Sequence, residues 1–296
     1  MKWGTYAELT PEALAAIRTL APVAYLPWGS LEWHGPHLPF GVDGLIAQAV
    51  AERVAQRVGG VLLPPTWWPV AAVPHPDSLS IPSSAMHRLW GTLFGRLAEA
   101  GWSVVVVLSG PTTPGHELVL IDAAEVAINQ YGLLVLALPP LAIVDETMVD
   151  HAALWETSVM LALYPDLVNL EALGPHPLTP ANSAVLGRDP RGTASASLGK
   201  QALAMAVEQI SRAIRRLLTE RSATPLYTLY AHRRNCLRAY TERYGEEHPD
   251  DATRAWWEHL CREADGGAEA EAEAEAVGTG EPEPEHHDPE RPEAEE

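Results

Sequence analysis

The chain has 296 residues, 47% of them apolar, enough for one large or two small domains around a substantial core. Residues 263–296 hold 14 acids (12 Glu, 2 Asp) against one base, Arg291, which gives -13 of the total -19 and leaves -6 for the body. That balance argues against nucleic-acid binding, which needs a clustered basic face, and no run of about 18 uncharged apolar residues marks a membrane span or a signal segment.

Cys236 and Cys261 are the two cysteines, too few for a disulfide framework and suited to a reducing, cytoplasmic setting. Thr10, Pro11 and Glu12 read as a helix start, with Thr as N-cap and Pro at the first helical position, so 11–19 is expected to be a helix. A first buried strand follows at about 22–27. Apolar residues at Leu45, Ile46, Ala49, Val50 and Val54 then repeat at helical spacing over 43–58, ended by Gly59 and Gly60. Strands at 61–63, 104–108 and 133–138 alternate with helices at 84–100 and 117–130. The run Val104 to Leu108 is β-branched and free of charge, as a strand covered on both faces should be. This alternation predicts a three-layer α/β/α sandwich with a mainly parallel central sheet. A long helix to about 221 and helices at 226–243 and 250–262 complete an ordered body over 1–262. The Glu-Ala and Glu-Pro repeats of 263–296 have no apolar face, and a disordered acidic tail is expected there.

The loop that leaves the first strand is where chemistry is expected. Glu32 and His34 are two residues apart, so in extended backbone their side chains point the same way. Asp43 returns a second carboxylate where the next helix opens. One imidazole and two carboxylates on a Gly/Pro-stiffened loop suit Zn, Mn or Fe(II). Taken singly, Asp43 also fits an N-cap and Glu32 a solvated loop residue.

The string Pro27, Gly29, Ser30, Glu32, His34, Gly35, Pro36, His37, Leu38, Pro39, Gly41, Asp43 resembles the signature of the creatininase family of metal hydrolases. A second block, Asp150-His151-Ala152-Ala153 followed by Glu156-Thr157-Ser158, resembles that family's His-Ala-Gly-x-x-Glu-Thr-Ser helix. A third echo lies at Gly187, Asp189, Pro190 and Arg191, so the likeness covers about 3–240. It implies a creatininase-like fold and a metal-dependent amidohydrolase acting on a C-N bond of a small, cyclic or linear amide. Two divalent ions would be held by Glu32, His34 and a bridging Asp43, with Glu156 at or beside them. Asp150 and His151 would act near the scissile bond as proton shuttle or substrate clamp. A homo-oligomer, often a hexamer, is also implied. Helix capping by Asp150 and a surface position for Glu156 are the plainer alternatives. His151 and Glu156, five apart, would diverge by about 140° on one helix, so His151 is expected at or before the helix start.

The pattern breaks after the valine strand. Where the family carries Asn-Gly-His, this chain has Ser109-Gly110-Pro111, and Thr113 stands where a carboxylate can occur. Either an insertion lets His116, with Glu117 beside it, restore the missing donors, or the site has lost a ligand. In the second case the chain is a degenerate, catalytically inactive relative kept for binding or assembly.

Overall fold

The computed structural model describes residues 2–278, with side chains described through Ala264. Five strands, Trp3–Thr5 (β1), Val23–Trp28 (β2), Gly60–Leu62 (β3), Val104–Ser109 (β4) and Leu134–Leu138 (β5), form one sheet in the order β1-β3-β2-β4-β5. Every pairing is parallel. β2 and β4 run in register from Val23 opposite Val104 to Trp28 opposite Ser109, and every residue of both is buried. Helices cover both faces, which is why these strands read as unbroken apolar runs instead of alternating ones.

The helices are Pro11–Leu20 (α1), Val42–Val58 (α2), Ser83–Glu99 (α3), Pro114–Tyr131 (α4), Leu154–Leu163 (α5), Pro180–Ser183 (α6), Ala196–Glu220 (α7), Thr224–Cys236 (α8), Arg238–Tyr244 (α9) and Pro249–Gly278 (α10). α2, α5 and α7 pack together, while α3, α8 and α10 all pack on α4. Thr10 caps α1 as expected, its Oγ1 accepting from the Ala13 N–H at 3.3 Å. The architecture is the parallel, three-layer α/β fold predicted from the alternation.

Three local features differ from the sequence reading. β1 is an edge strand of three residues, too short to carry a period. The expected helix at 226–243 breaks at Leu237 into α8 and α9. α10 continues in helical backbone through the Glu-Ala repeats to Gly278, where a disordered tail was expected; residues 279–296 of that tail lie outside the described residues.

β2 lies between β3 and β4, and the chain leaves β2 towards β3 but leaves β4 towards β5. The strand order therefore reverses between β2 and β4, and a crevice opens beyond their C-terminal ends, where α/β folds place their ligands. Both loops around the site leave from those ends. They approach each other closely at Gly110, where a Cβ would lie 2.4 Å from the Asp43 carbonyl oxygen; only glycine fits there.

Candidate metal and catalytic site

The loop after β2 is pinned before it reaches α2. The Glu32 N–H donates to the Phe40 carbonyl at 3.0 Å, and the Trp33 N–H donates to Ser78 Oγ at 3.0 Å. Gly35 sits at φ 72°, a left-handed position that favours glycine. This turn buries Glu32 and His34 and aims both inward. Asp43 lies in the first turn of α2, but Gly41 occupies the N-cap position. Asp43 is therefore no cap: its Oδ2 accepts from Ser30 Oγ, and its Oδ1 faces His34 Nε2 at 3.5 Å.

From the other side comes the segment before α5. His151 is held outside that helix by a two-way backbone bridge to Leu186, as its spacing from Glu156 predicts. Glu156, in the first turn of α5, is buried and places Oε2 3.7 Å from His34 Nε2. The same oxygen accepts the Ala152 N–H at 2.7 Å. His151 Nδ1 lies 3.9 Å from Glu32 Oε1, and the His34 and His151 imidazoles lie against each other, tilted by 33°, at 4.2 Å between centroids. The metal-capable atoms of His34, His151 and Glu156 all lie within 4.8 Å of one another.

Each ring is oriented by a backbone carbonyl of the signature loop. His34 Nδ1 donates to the Glu32 carbonyl at 2.8 Å, and His151 Nε2 donates to the Trp33 carbonyl at 3.0 Å. The remaining nitrogens, His34 Nε2 and His151 Nδ1, are turned towards the carboxylates and are the atoms a cation would take. That is how metal-binding histidines have their ligating nitrogen selected.

Several polar atoms are left unpartnered here. Both Glu32 carboxylate oxygens, Asp43 Oδ1 and His34 Nε2 are buried without a hydrogen-bond partner. Burial, then the neighbouring Asp43, pushes Glu32 up to about 8, and burial raises Glu156 well above its ordinary value. Burial also disfavours the His34 imidazolium, but Asp43, Glu156 and Glu32 outweigh it and hold the ring at about 10. Burial and the adjacent His34 charge push His151 down to about 3. Burial thus favours the protonated forms of Glu32 and Glu156, and a bound cation would reverse that preference by stabilising their carboxylates. Oxygen and imidazole donors at this spacing fit a divalent ion: across a tetrahedral centre with bonds of about 2.1 Å, ligand atoms stand about 3.4 Å apart.

Two residues expected at the centre do other work. His116 lies in the first turn of α4, where Nδ1 accepts the Val70 N–H at 3.0 Å and Nε2 is bonded to Ser109 Oγ at 3.0 Å. Both nitrogens are spent, so no lone pair remains for a cation, and Glu117 beside it is ion-paired with the buried Arg233. Asp150 does not orient His151. Its two oxygens accept the N–H groups of Trp155 at 2.7 Å and Glu156 at 3.1 Å, which caps α5 and fixes Glu156. Two contributors went unassigned in the sequence, although both stand in the signature string. Ser30 anchors Asp43, and His37 Nε2 is bonded to Thr157 Oγ1 at 3.2 Å, which ties the two sequence blocks together.

The creatininase family model, described as creatinine amidohydrolase, matches residues 7–214. The chain belongs to the creatininase family. Creatinine amidohydrolase from Pseudomonas putida is 27% identical over 230 residues, spanning 65% of this chain and 88% of that protein. The mycofactocin precursor peptide peptidase of Mycolicibacterium smegmatis is 32% identical over 165 residues, 53% of this chain and 64% of the relative. A manganese form of creatininase superposes with a TM-score of 0.63 at 26% identity, covering 72% of this chain and 97% of that one. Membership supports a hydrolase, and the creatininase fold follows from these similarities together with the sheet order. α8, α9 and α10 lie beyond the matched segment.

Proposed function

We propose that this creatininase-family chain is a metal-dependent hydrolase that cleaves a C-N bond in a small amide. The observation that carries this reading is the buried cluster about His34 Nε2, with Asp43 Oδ1 at 3.5 Å and Glu156 Oε2 at 3.7 Å, in which His34 Nε2 and Asp43 Oδ1 have no hydrogen-bond partner. His34, Asp43 and Glu156 would hold a single divalent ion (Zn, Mn or Fe(II)). One ion in place of two is favoured by Pro111 and Thr113, which supply neither imidazole nor carboxylate. When bound, such an ion supplies Lewis acidity, making water acidic enough to ionise near neutral pH and polarising a carbonyl.

The chain's own residues supply the rest. His151 stays neutral, with Nε2–H committed to the Trp33 carbonyl, so Nδ1 is free to take a proton and return it to the leaving nitrogen. Glu32, 3.9 Å away, stabilises the imidazolium while His151 carries that proton. Asp150 serves at one remove, by holding Glu156 in place. The names of the two relatives described above denote C-N cleavage, which supports this bond.

Metal analysis of protein purified without chelator tests the reading: about one ion per chain is expected, and less than about 0.2 with no rescue by added Mn or Zn removes it. A specific observation favours a second reading, an inactive relative retained for binding: His116 has both nitrogens engaged and Glu117 is ion-paired with Arg233. That reading wins if Glu32→Gln changes neither ligand binding nor thermal stability while neither form hydrolyses amides.

A further inference from the structure

Beside His151 lies a cavity of about 180 Å3, whose walls include Thr112 and Thr113 from the loop after β4, Val149 and Asp150 before α5, and Trp256 from α10. Its volume is below the roughly 300 Å3 at which pockets for drug-sized ligands begin. Trp256 comes from beyond residue 214, where the family match ends.

We propose that Trp256 is a specificity-determining wall of the cavity beside His151, limiting the amide that reaches that imidazole to a compact one. This rests on the reading of the site as a hydrolytic centre. Four observations make the wall rigid. The Trp257 side chain is buried in the main core. Asp250 Oδ1 accepts the Ala71 N–H at 3.1 Å, and His248 Nε2 is bonded to Ser83 Oγ at 3.2 Å. A Cβ on Gly115 would lie 2.7 Å from Thr253 Oγ1, so α10 presses directly on the first turn of α4. A tryptophan borne on an element anchored at so many points loses little entropy when a flat ligand packs on it.

Another part of the lining is polar. Thr113 is buried and its hydroxyl has no hydrogen-bond partner, although the cavity it lines is otherwise apolar apart from Thr112, Asp150 and His151. That orphaned hydroxyl is a ready partner for a substrate carbonyl or N–H. The loop after β4 thus contributes a small polar contact to the cavity, and α10 contributes an apolar wall.

The test uses the full chain with Trp256→Phe and Trp256→Ala, and Trp256→Leu should Trp256→Ala fail to fold by circular dichroism. After chelation, carbethoxylation of His151 by diethyl pyrocarbonate is read by peptide mass spectrometry. Removing the indole should speed it about tenfold, with the phenylalanine form near wild type. Creatinine and benzoylglycinamide serve as compact and bulky amides. The small-residue variants should improve kcat/KM for the bulky amide relative to creatinine by about tenfold or more. Unchanged His151 labelling, or unchanged discrimination between the two amides, overturns the proposal. If no form binds metal or turns over either amide, the hydrolase reading falls, and the labelling rates alone still decide whether Trp256 covers His151.

Discussion

The imidazole of His151 hangs from the backbone of the signature loop: its Nε2 donates to the Trp33 carbonyl at 3.0 Å. One residue of that loop lies on either side of Trp33 in the cluster, Glu32 against His151 and His34 against Glu156. The two sequence blocks, more than a hundred residues apart, therefore meet through a main-chain atom that no substitution at Trp33 removes.

His34 and His151 should consequently separate on mutation. His34→Ala is expected to empty the site of metal. His151→Gln should retain the ion yet lose about 100- to 10,000-fold in kcat, the range for a lost general acid-base group. Metal content and steady-state kinetics on the same preparations check both. Equal metal loss in the two variants would make His151 a ligand instead of a proton carrier.

Metal removal should destabilise the fold. A ligand present at about 100 times its Kd stabilises by about 2.7 kcal/mol, so chelation should lower Tm and added Mn or Zn restore it. Glu156→Gln should abolish that metal-dependent shift while leaving the metal-free protein no less stable, because one of three buried carboxylates is gone. Calorimetry with and without chelator reads it.

His116 makes the acid limb of the stability curve steeper. Burial lowers its pKa from 6.5 to about 4, so the folded protein binds fewer protons there than the unfolded chain. Stability from this group is complete above 6.5 and drains away as pH falls towards 4. A displacement of this size corresponds to about 3 kcal/mol. His116→Gln should flatten that interval in urea titrations at a series of pH values, relative to wild type.

Arg233 joins α8 to the body through Glu117 and Glu146, and Glu117 is 2% exposed. Arg233→Met should cost about 3–5 kcal/mol, since it strands a buried carboxylate. Adding Glu117→Gln should recover much of the loss. A double-mutant cycle by chemical denaturation measures the coupling.

The sheet and its helices were legible because β2 and β4 are covered on both faces and α2 repeats apolar residues at helical spacing. The signature loop was legible for another reason: Glu32, His34 and Asp43 are fixed by local turn geometry that a string of glycines and prolines announces. His116 misled because spacing records a donor atom and says nothing of what else claims it; Val70 and Ser109 had already done so. β1 was missed because three edge residues carry no period, and the break at Leu237 because neither Gly nor Pro marks it. The role of Trp256 depends on α10 folding back over α4, a tertiary contact with no local signature.

α8, α9 and α10 are not an appendage. Tyr230, on α8, has its hydroxyl inserted into the edge of the sheet, donating to the Val135 carbonyl at 2.5 Å and accepting the Ala137 N–H at 3.2 Å. β5 is the outermost strand on that side, and a bare strand margin invites pairing with another chain. Trimming this protein back to the part it shares with its relatives would therefore expose a sticky border, and aggregation is the failure such a truncation would meet first.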